Sequence, residues 1–213
     1  MLLKIIFLSF VCTLRFVFGS ELNLPGKCPD VKLQENLDSV KLSGLWYNVA
    51  NFASDGRSIY DCASLLMVED NLGYTLTETY VQGEQGNRTQ QKYVARLDPT
   101  FGDKSQFIIS YEDNDKILQF PFSILSTDYE NYAIAYTCKN FNKKVKTHYV
   151  FTWILTRNKE KLDGVTMMNV QSALSKYPEL SDRWELFVFK DFSGSTCAFD
   201  STIETDIFTT NFW

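Results

Sequence analysis

The sequence predicts an all-β protein, an eight-stranded antiparallel up-and-down β-barrel with one C-terminal α-helix and a short ninth strand. Three observations predict it. Short runs rich in Val, Ile, Tyr, Phe and Thr recur every ten to twelve residues, the texture of strands in a meander. Clusters of Gly, Asp and Asn punctuate them as turns. After Arg157 the spacing of apolar residues changes to three and four, which is helical. Closing eight such strands into a barrel leaves no exposed edge.

The runs place strands at 45–53, 63–69, 74–81, 90–97, 105–112, 117–125, 131–139 and 147–156. Gly44-Leu45-Trp46 opens the first of them. Asn71-Leu72-Gly73, Asp113-Asn114-Asp115 and residues 140–144 are turns between neighbours. Thr127-Asp128-Tyr129 precedes the aromatic-rich seventh strand, and Thr156-Arg157 closes the eighth. Residues 165–177 carry Val165, Met168, Ala173 or Val170, and Leu174 at helical spacing, between Asp163-Gly164 and Pro178. Residues 184–189 read as the ninth strand. Neither a repeat nor a linker divides the chain, so residues 20–197 are expected to form one barrel domain. The tail, 198–213, is expected to be disordered.

Residues 1–19 read as an export leader. Lys4 supplies the positive start, residues 5–17 are largely apolar, and Val17-Phe18-Gly19 puts small residues around a cleavage position. The run is too short for a stable membrane span, and no later stretch approaches about 18 uncharged apolar residues. A secreted chain without membrane insertion is expected. Removing the leader takes away Lys4 and Arg15 and no acid, so the formal charge of −5 becomes −7. Such a surface disfavours nucleic acid and anionic membrane as partners. Cys12 lies in the leader, leaving Cys28, Cys62, Cys138 and Cys197 for two disulfides with three possible connectivities. Asn87-Arg88-Thr89 is a glycosylation sequon beside Gly83 and Gly86, in an expected exposed turn.

Alternate residues of a strand face opposite sides. Arg157 must reach the first strand near Trp46, where a guanidinium over an indole would plug the closed end of the barrel. Tyr149, Phe151 and Trp153 share its parity and are expected to face the interior. Cys28 precedes the first strand, so a barrel partner of Cys28 must point outward. Were that partner Cys138, then Ala133, Ala135 and Thr137 would point inward and Tyr132, Ile134 and Tyr136 outward. Small inward residues leave room for a ligand or for a neighbour's ring. An aromatic column opposite them makes a flat slot suited to a planar apolar ligand.

No catalytic constellation is expected. His148 is the only histidine, and its parity puts it on the outer face, away from any site with a general base. One histidine and four paired cysteines cannot assemble an ordinary zinc or copper site. Glu69-Asp70 and the Asp113–Asp115 pair read as solvated turns.

The three separated segments Gly44-Leu45-Trp46, Thr127-Asp128-Tyr129 and Thr156-Arg157 resemble the lipocalins, small barrels that carry apolar molecules. Over about residues 26–197 the chain is similar to insect bilin-binding proteins and insecticyanins, through Gly26-Lys27-Cys28-Pro29, Leu125-Ser126-Thr127-Asp128-Tyr129, Tyr136-Thr137-Cys138-Lys139 and Trp153-Ile154-Leu155-Thr156-Arg157. The resemblance implies disulfides Cys28–Cys138 and Cys62–Cys197. It also implies a calyx carrying a tetrapyrrole such as biliverdin, non-covalently and without catalysis, with no cofactor required. By position it implies pocket contacts from Thr137, Lys139, Tyr149 and Phe151, with Trp153 deeper and Thr79 or Tyr80 on the third strand. Thr137 stands where those carriers have an aromatic. The alternatives are an apolipoprotein D-like carrier of a retinoid, sterol or fatty acid, and a sequestering protein without pigment. A homo-oligomer is left open.

Overall fold

The computed structural model describes residues 24–54, 60–70, 73–83, 87–100, 103–113, 116–140, 146–159 and 162–198. The expected leader, most of the tail, Gly86 and residues 141–145 lie outside them. The chain forms β1 (Leu24–Pro25), α1 (Ser39–Leu42), β2 (Gly44–Ala53), β3 (Asp61–Asp70), β4 (Gly73–Gln82), β5 (Thr89–Thr100), β6 (Asp103–Asp113), β7 (Lys116–Thr127), β8 (Tyr132–Asn140) and β9 (Thr147–Thr156). It ends in α2 (Gly164–Leu174), α3 (Pro178–Ser181), a 3-10 turn (Trp184–Leu186) and β10 (Val188–Phe189). All eight expected barrel strands are present. Each pairs antiparallel with its sequence neighbour, and β9 returns to pair with β2, closing the barrel.

Strand parity divides the apolar residues into two cores. The inner core lies at the end where β2 begins and β9 finishes, and holds Trp46, Leu65, Leu97, Phe107, Ile124 and Leu155. The outer core lies between the barrel and α2, where Phe52, Ile134, Tyr136, Val150 and Ile154 meet Val170, Ala173 and Leu174. Helix α2 starts at Asp163, whose carboxylate accepts the Thr166 N–H at 2.6 Å, and Pro178 opens the next helix. Each large side chain buried here stabilises the fold by about 1.5–3 kcal/mol relative to exposure.

The expected apolar face of the helix is corrected by one position at its start. Val165 and Met168 are 64% and 61% exposed, and the buried stripe is Thr166, Val170, Ala173 and Leu174. Those positions are four, seven and eight residues apart from the first, one helical face, and a threonine methyl serves there in place of valine. The ninth strand is also shorter than expected. Trp184 packs against Phe187 and Phe189, with ring centroids 5.4 and 5.5 Å apart, and this turn leaves only Val188 and Phe189 to pair with Asn51 and Ala50. Glu69 and Asp70 end β3 rather than forming a loop, and Asp70 is bonded by Arg96 and by Thr75. Asp113 ends β6, while residues 114–115 lie outside the described residues.

Both disulfides form as the resemblance implies, Cys28–Cys138 and Cys62–Cys197. The first ties the segment after β1 to the outer face of β8, where Cys28 N–H also donates to Asn140 Oδ1 at 2.8 Å. The second ties the C-terminal segment to β3. Arg88 reinforces it, holding Asp61 at 2.8 Å and donating to Thr196 O.

Candidate functional site

The two ends of the barrel differ in chemistry. At the closed end the guanidinium of Arg157 lies 3.6 Å from the centre of the Trp46 ring. Its three nitrogens donate to backbone oxygens of Tyr129, Leu45 and Lys41, at 3.1, 3.1 and 2.7 Å. The Trp46 indole N–H donates to Leu42 O at 2.7 Å. Gly44 has φ +100°, and a Cβ there would stand 3.2 Å from Arg157 Nη1; the first residue of the Gly-Leu-Trp triplet must therefore lack a side chain.

The Thr127-Asp128-Tyr129 turn supplies the third side of this plug. Asp128 Oδ1 accepts the backbone N–H groups of Glu130, Asn131 and Tyr132, and Oδ2 accepts from the Asn131 side chain. Burial raises its pKa, but the bonds from Tyr132, Asn131 and Glu130 outweigh that and hold it below the ordinary value. Tyr129 adopts φ +68°, which lets its hydroxyl accept the Asp38 N–H at 3.0 Å. Asp128→Ala is expected to lower stability by about 2 kcal/mol, since three backbone donors lose their acceptor. A depressed carboxylate pKa contributes stability above the unfolded value, 3.8, and loses it as pH falls through the folded one. Thermal melts of wild type and Asp128→Ala are therefore expected to differ at pH 7 and to converge below pH 3.8.

The open end encloses a cavity of about 440 Å³ with residues from all eight barrel strands on its walls. Thr137, Tyr149, Phe151 and Trp153 line it, as parity predicts, and so does Tyr80 of the pair offered on the third strand. Phe151 and Trp153 have centroids 4.3 Å apart, and Trp153 meets Phe122 at 5.6 Å. Ala133 and Ala135 point inward but lie below the cavity, fully buried in the inner core. Ala135 pairs with Ile124 on one side and Trp153 on the other, so neighbouring large side chains occupy the space its methyl leaves. Lys139 is exposed at the rim, its Nζ 4.7 Å from the centre of the Phe120 ring, and Phe120 in turn lines the cavity. Asn87 is exposed on the link between β4 and β5, at the same open end.

The polar residues of this cavity are the ones parity alone did not find. An irregularity in β2 pairs Asn48 with Leu155 and Ala50 with Ile154, leaving Val49 as an extra residue. Strict alternation from Trp46 would put Phe52 inside. The bulge instead turns Val49, Ala50 and Phe52 to the outer core, so that Asn48 and Asn51 both face the cavity. Asn48 Oδ1, Asn51 Oδ1 and Thr137 Oγ1 are buried without a hydrogen-bond partner among the described residues. Glu78, between Leu76 and Tyr80 on the inward face of β4, also lines the wall. Burial pushes its carboxyl up to about 7. Burial, a hydrogen bond with Tyr93 and the charges of its neighbours push the Tyr80 phenol up as well.

His148 lies outside the barrel. Its Nε2 is 2.7 Å from Glu179 Oε1 and its Nδ1 3.3 Å from Gly26 O, which fastens α3 and β1 to β9. Ser, Cys, Lys and His side chains do not line the cavity among the described residues.

The joining of Gly44, Trp46, Asp128 and Arg157 at one end of a closed eight-stranded barrel coincides with a family match. Residues 43–180 match the Lipocalin / cytosolic fatty-acid binding protein family. The chain belongs to this family. As a lipocalin it is 25% identical over 178 residues to insecticyanin-B of Manduca sexta, covering 84% of this chain and 85% of that protein. It is 26% identical over 192 residues to the bilin-binding protein of Pieris brassicae, covering 89% and 98%. It is 30% identical over 164 residues to apolipoprotein D of Mus musculus, covering 71% and 78%. Among solved structures, insecticyanin of the tobacco hornworm superposes with a TM-score of 0.73 at 24% identity, over 84% of this chain and 94% of that one. Lobster apocrustacyanin A1 superposes with a TM-score of 0.64 at 23% identity, over 83% and 94%. This lipocalin therefore shares its fold with both.

Proposed function

We propose that this lipocalin is a secreted carrier that holds a small planar apolar ligand, a bilin such as biliverdin in the first place, non-covalently in the open-end cavity. The observation that carries the reading is the pairing of flat apolar walls with unpartnered buried acceptors. Phe151 and Trp153 supply the flat surface, while Asn48 Oδ1, Asn51 Oδ1 and Thr137 Oγ1 await donors. A buried acceptor without a partner costs about 1–3 kcal/mol, recovered when a ligand donates to it. A tetrapyrrole is flat and presents several N–H groups at its centre, so it fits both features. The Pieris brassicae relative, by its name, binds a bilin. Lys139 at the rim is placed to meet an acidic group projecting from the mouth. Two disulfides and the expected leader support export. An apolar ligand without such donors, a retinoid or sterol, is the second reading, favoured by the identity to apolipoprotein D.

Titrating the purified full-length mature protein with biliverdin is expected to quench tryptophan fluorescence and to produce a bound-pigment band in the red. Trp153→Phe should remove most of that quenching, because Trp153 lines the cavity while Trp46 and Trp184 do not. Absence of quenching by both biliverdin and retinol would exclude the carrier reading.

A further inference from the structure

Glu78 is a carboxyl group set in the cavity wall, with no cationic side chain in that wall among the described residues. Among the described residues that line the cavity, Glu78 is the ionic side chain that strand parity turns inward, while Glu112, paired with the exposed Ile117, reaches only the rim. Around Glu78 stands a group of tyrosines. Tyr93 faces it across the β4–β5 pairing. Tyr80, two residues along on the same face, lies between Tyr60 at 4.1 Å and Tyr93 at 5.7 Å between ring centroids. Two strands away, on β2, the Asn48 and Asn51 oxygens, 2% and 1% exposed as residues, also lack donors among the described residues. The wall therefore presents carboxylate oxygens, amide oxygens and the electron-rich faces of phenol rings.

Each of these groups attracts positive charge or an N–H donor. Glu78 is half-buried; a carboxylate partly withdrawn from water gains when a cation pairs with it, and aromatic faces add attraction for a nitrogen cation. A carboxylate-headed lipid brought to the same place would set like charges together.

We infer that the cavity selects a ligand bearing a nitrogen cation, which docks on Glu78 among Tyr60, Tyr80 and Tyr93, and that it rejects carboxylate head groups at that position. The inference rests on the carrier reading and narrows its ligand class. For a bilin the group concerned is the basic ring nitrogen, bound in its protonated form. For other ligands it is an amine on an apolar body.

The charge state of Glu78 makes binding depend on pH. The titratable side chains that share the cavity with it are Tyr111 from β6, Tyr93 from β5, Tyr149 from β9, Tyr80 on its own strand and Tyr60 ahead of β3, with Glu112 of β6 at the rim on the outward parity. The tyrosines are neutral near pH 7; among the described residues β2 and β7 contribute no ionisable side chain to the lining, and β8 adds Lys139 at the rim, over the Phe120 ring. With the carboxyl pushed up to about 7, it is mostly neutral at pH 6 and mostly ionised at pH 8.

The test compares decylamine with decanoate, below their micellar concentrations, by isothermal titration calorimetry on the full-length mature protein, with biliverdin as a third ligand. Decylamine is expected to bind at least about tenfold more tightly than decanoate at pH 8 and to weaken about tenfold at pH 6. Glu78→Gln, which keeps the size of the side chain, should bring the two affinities together and remove the pH dependence. Equal affinities in wild type, a preference for decanoate, or a preference that persists unchanged in Glu78→Gln would overturn the inference. Binding of biliverdin without binding of decylamine would overturn it and leave the carrier reading standing. Failure of all three ligands to bind would remove the carrier reading itself.

Discussion

Replacing Trp46 by alanine is expected to destabilise this lipocalin by about 3–5 kcal/mol while changing ligand affinity less than about threefold. The side chain is 2% exposed, and its loss removes three things together. It opens a cavity in the inner core, leaves Leu42 O without its indole donor, and strips the stacked ring from Arg157. Burial already lowers the Arg157 pKa, the sign of a guanidinium that is poorly hydrated. Without the ring it would be a half-buried charge held by carbonyls alone. For a domain of this size the loss corresponds to roughly 10 °C in Tm. The ligand cavity is untouched because Trp46 lies at the opposite end and contributes nothing to its walls. Thermal melting and biliverdin titration on the same sample check both halves. A tenfold loss of affinity with an unchanged Tm would put the pocket at the wrong end of the barrel.

Removing Cys28–Cys138 as a double Cys→Ser variant is expected to cost about 3 kcal/mol, read as a lower urea midpoint. The bridge joins residues 110 apart in sequence. A loop of about that size, closed alone, would restrict the unfolded chain by nearly 5 kcal/mol. Cys62–Cys197 overlaps it in sequence and already shortens the path between its ends, which lowers the gain. The bridge lies outside the barrel, so Thr137, its neighbour on the inward face, should keep its position and affinity should hold. An unchanged midpoint would mean that the segment after β1 is held by other contacts, of which the Cys28–Asn140 bond is the nearest.

Most of the barrel was legible because each strand alternates and each turn carries Gly, Asp or Asn. Strands β2 to β7 extend the expected ones by one to three residues at an end, β8 is shifted by one residue and β9 coincides; at Thr89–Thr100 the strand takes in Asp98 and Pro99 although their residue types discourage it. The closed end was legible for a different reason. Its residues are chemically specific: a glycine that must lack a side chain, an indole, a guanidinium and a carboxylate that accepts three backbone donors.

The cavity was half legible. Counting parity back from Arg157 along β9 correctly puts Tyr149, Phe151 and Trp153 on its wall. The polar side of the same cavity escaped. Nothing in Asn48-Val49-Ala50-Asn51 marks a bulge, since it has no glycine or proline, and a glutamate between Leu76 and Tyr80 reads as solvated until the barrel closes around it. Thr166 on α2 was missed for a related reason: a threonine reads as polar, and here it is buried.

The extra residue in β2 has a wider meaning for what kind of vessel this is. Paired regularly, the same ten side chains would send Ala50 and Phe52 into the cup and Asn51 toward α2. The result would be an oily, narrower interior with an amide stranded against the helix. The composition of the strand permits both containers, and one uncounted step in the backbone decides that this one is lined with oxygen.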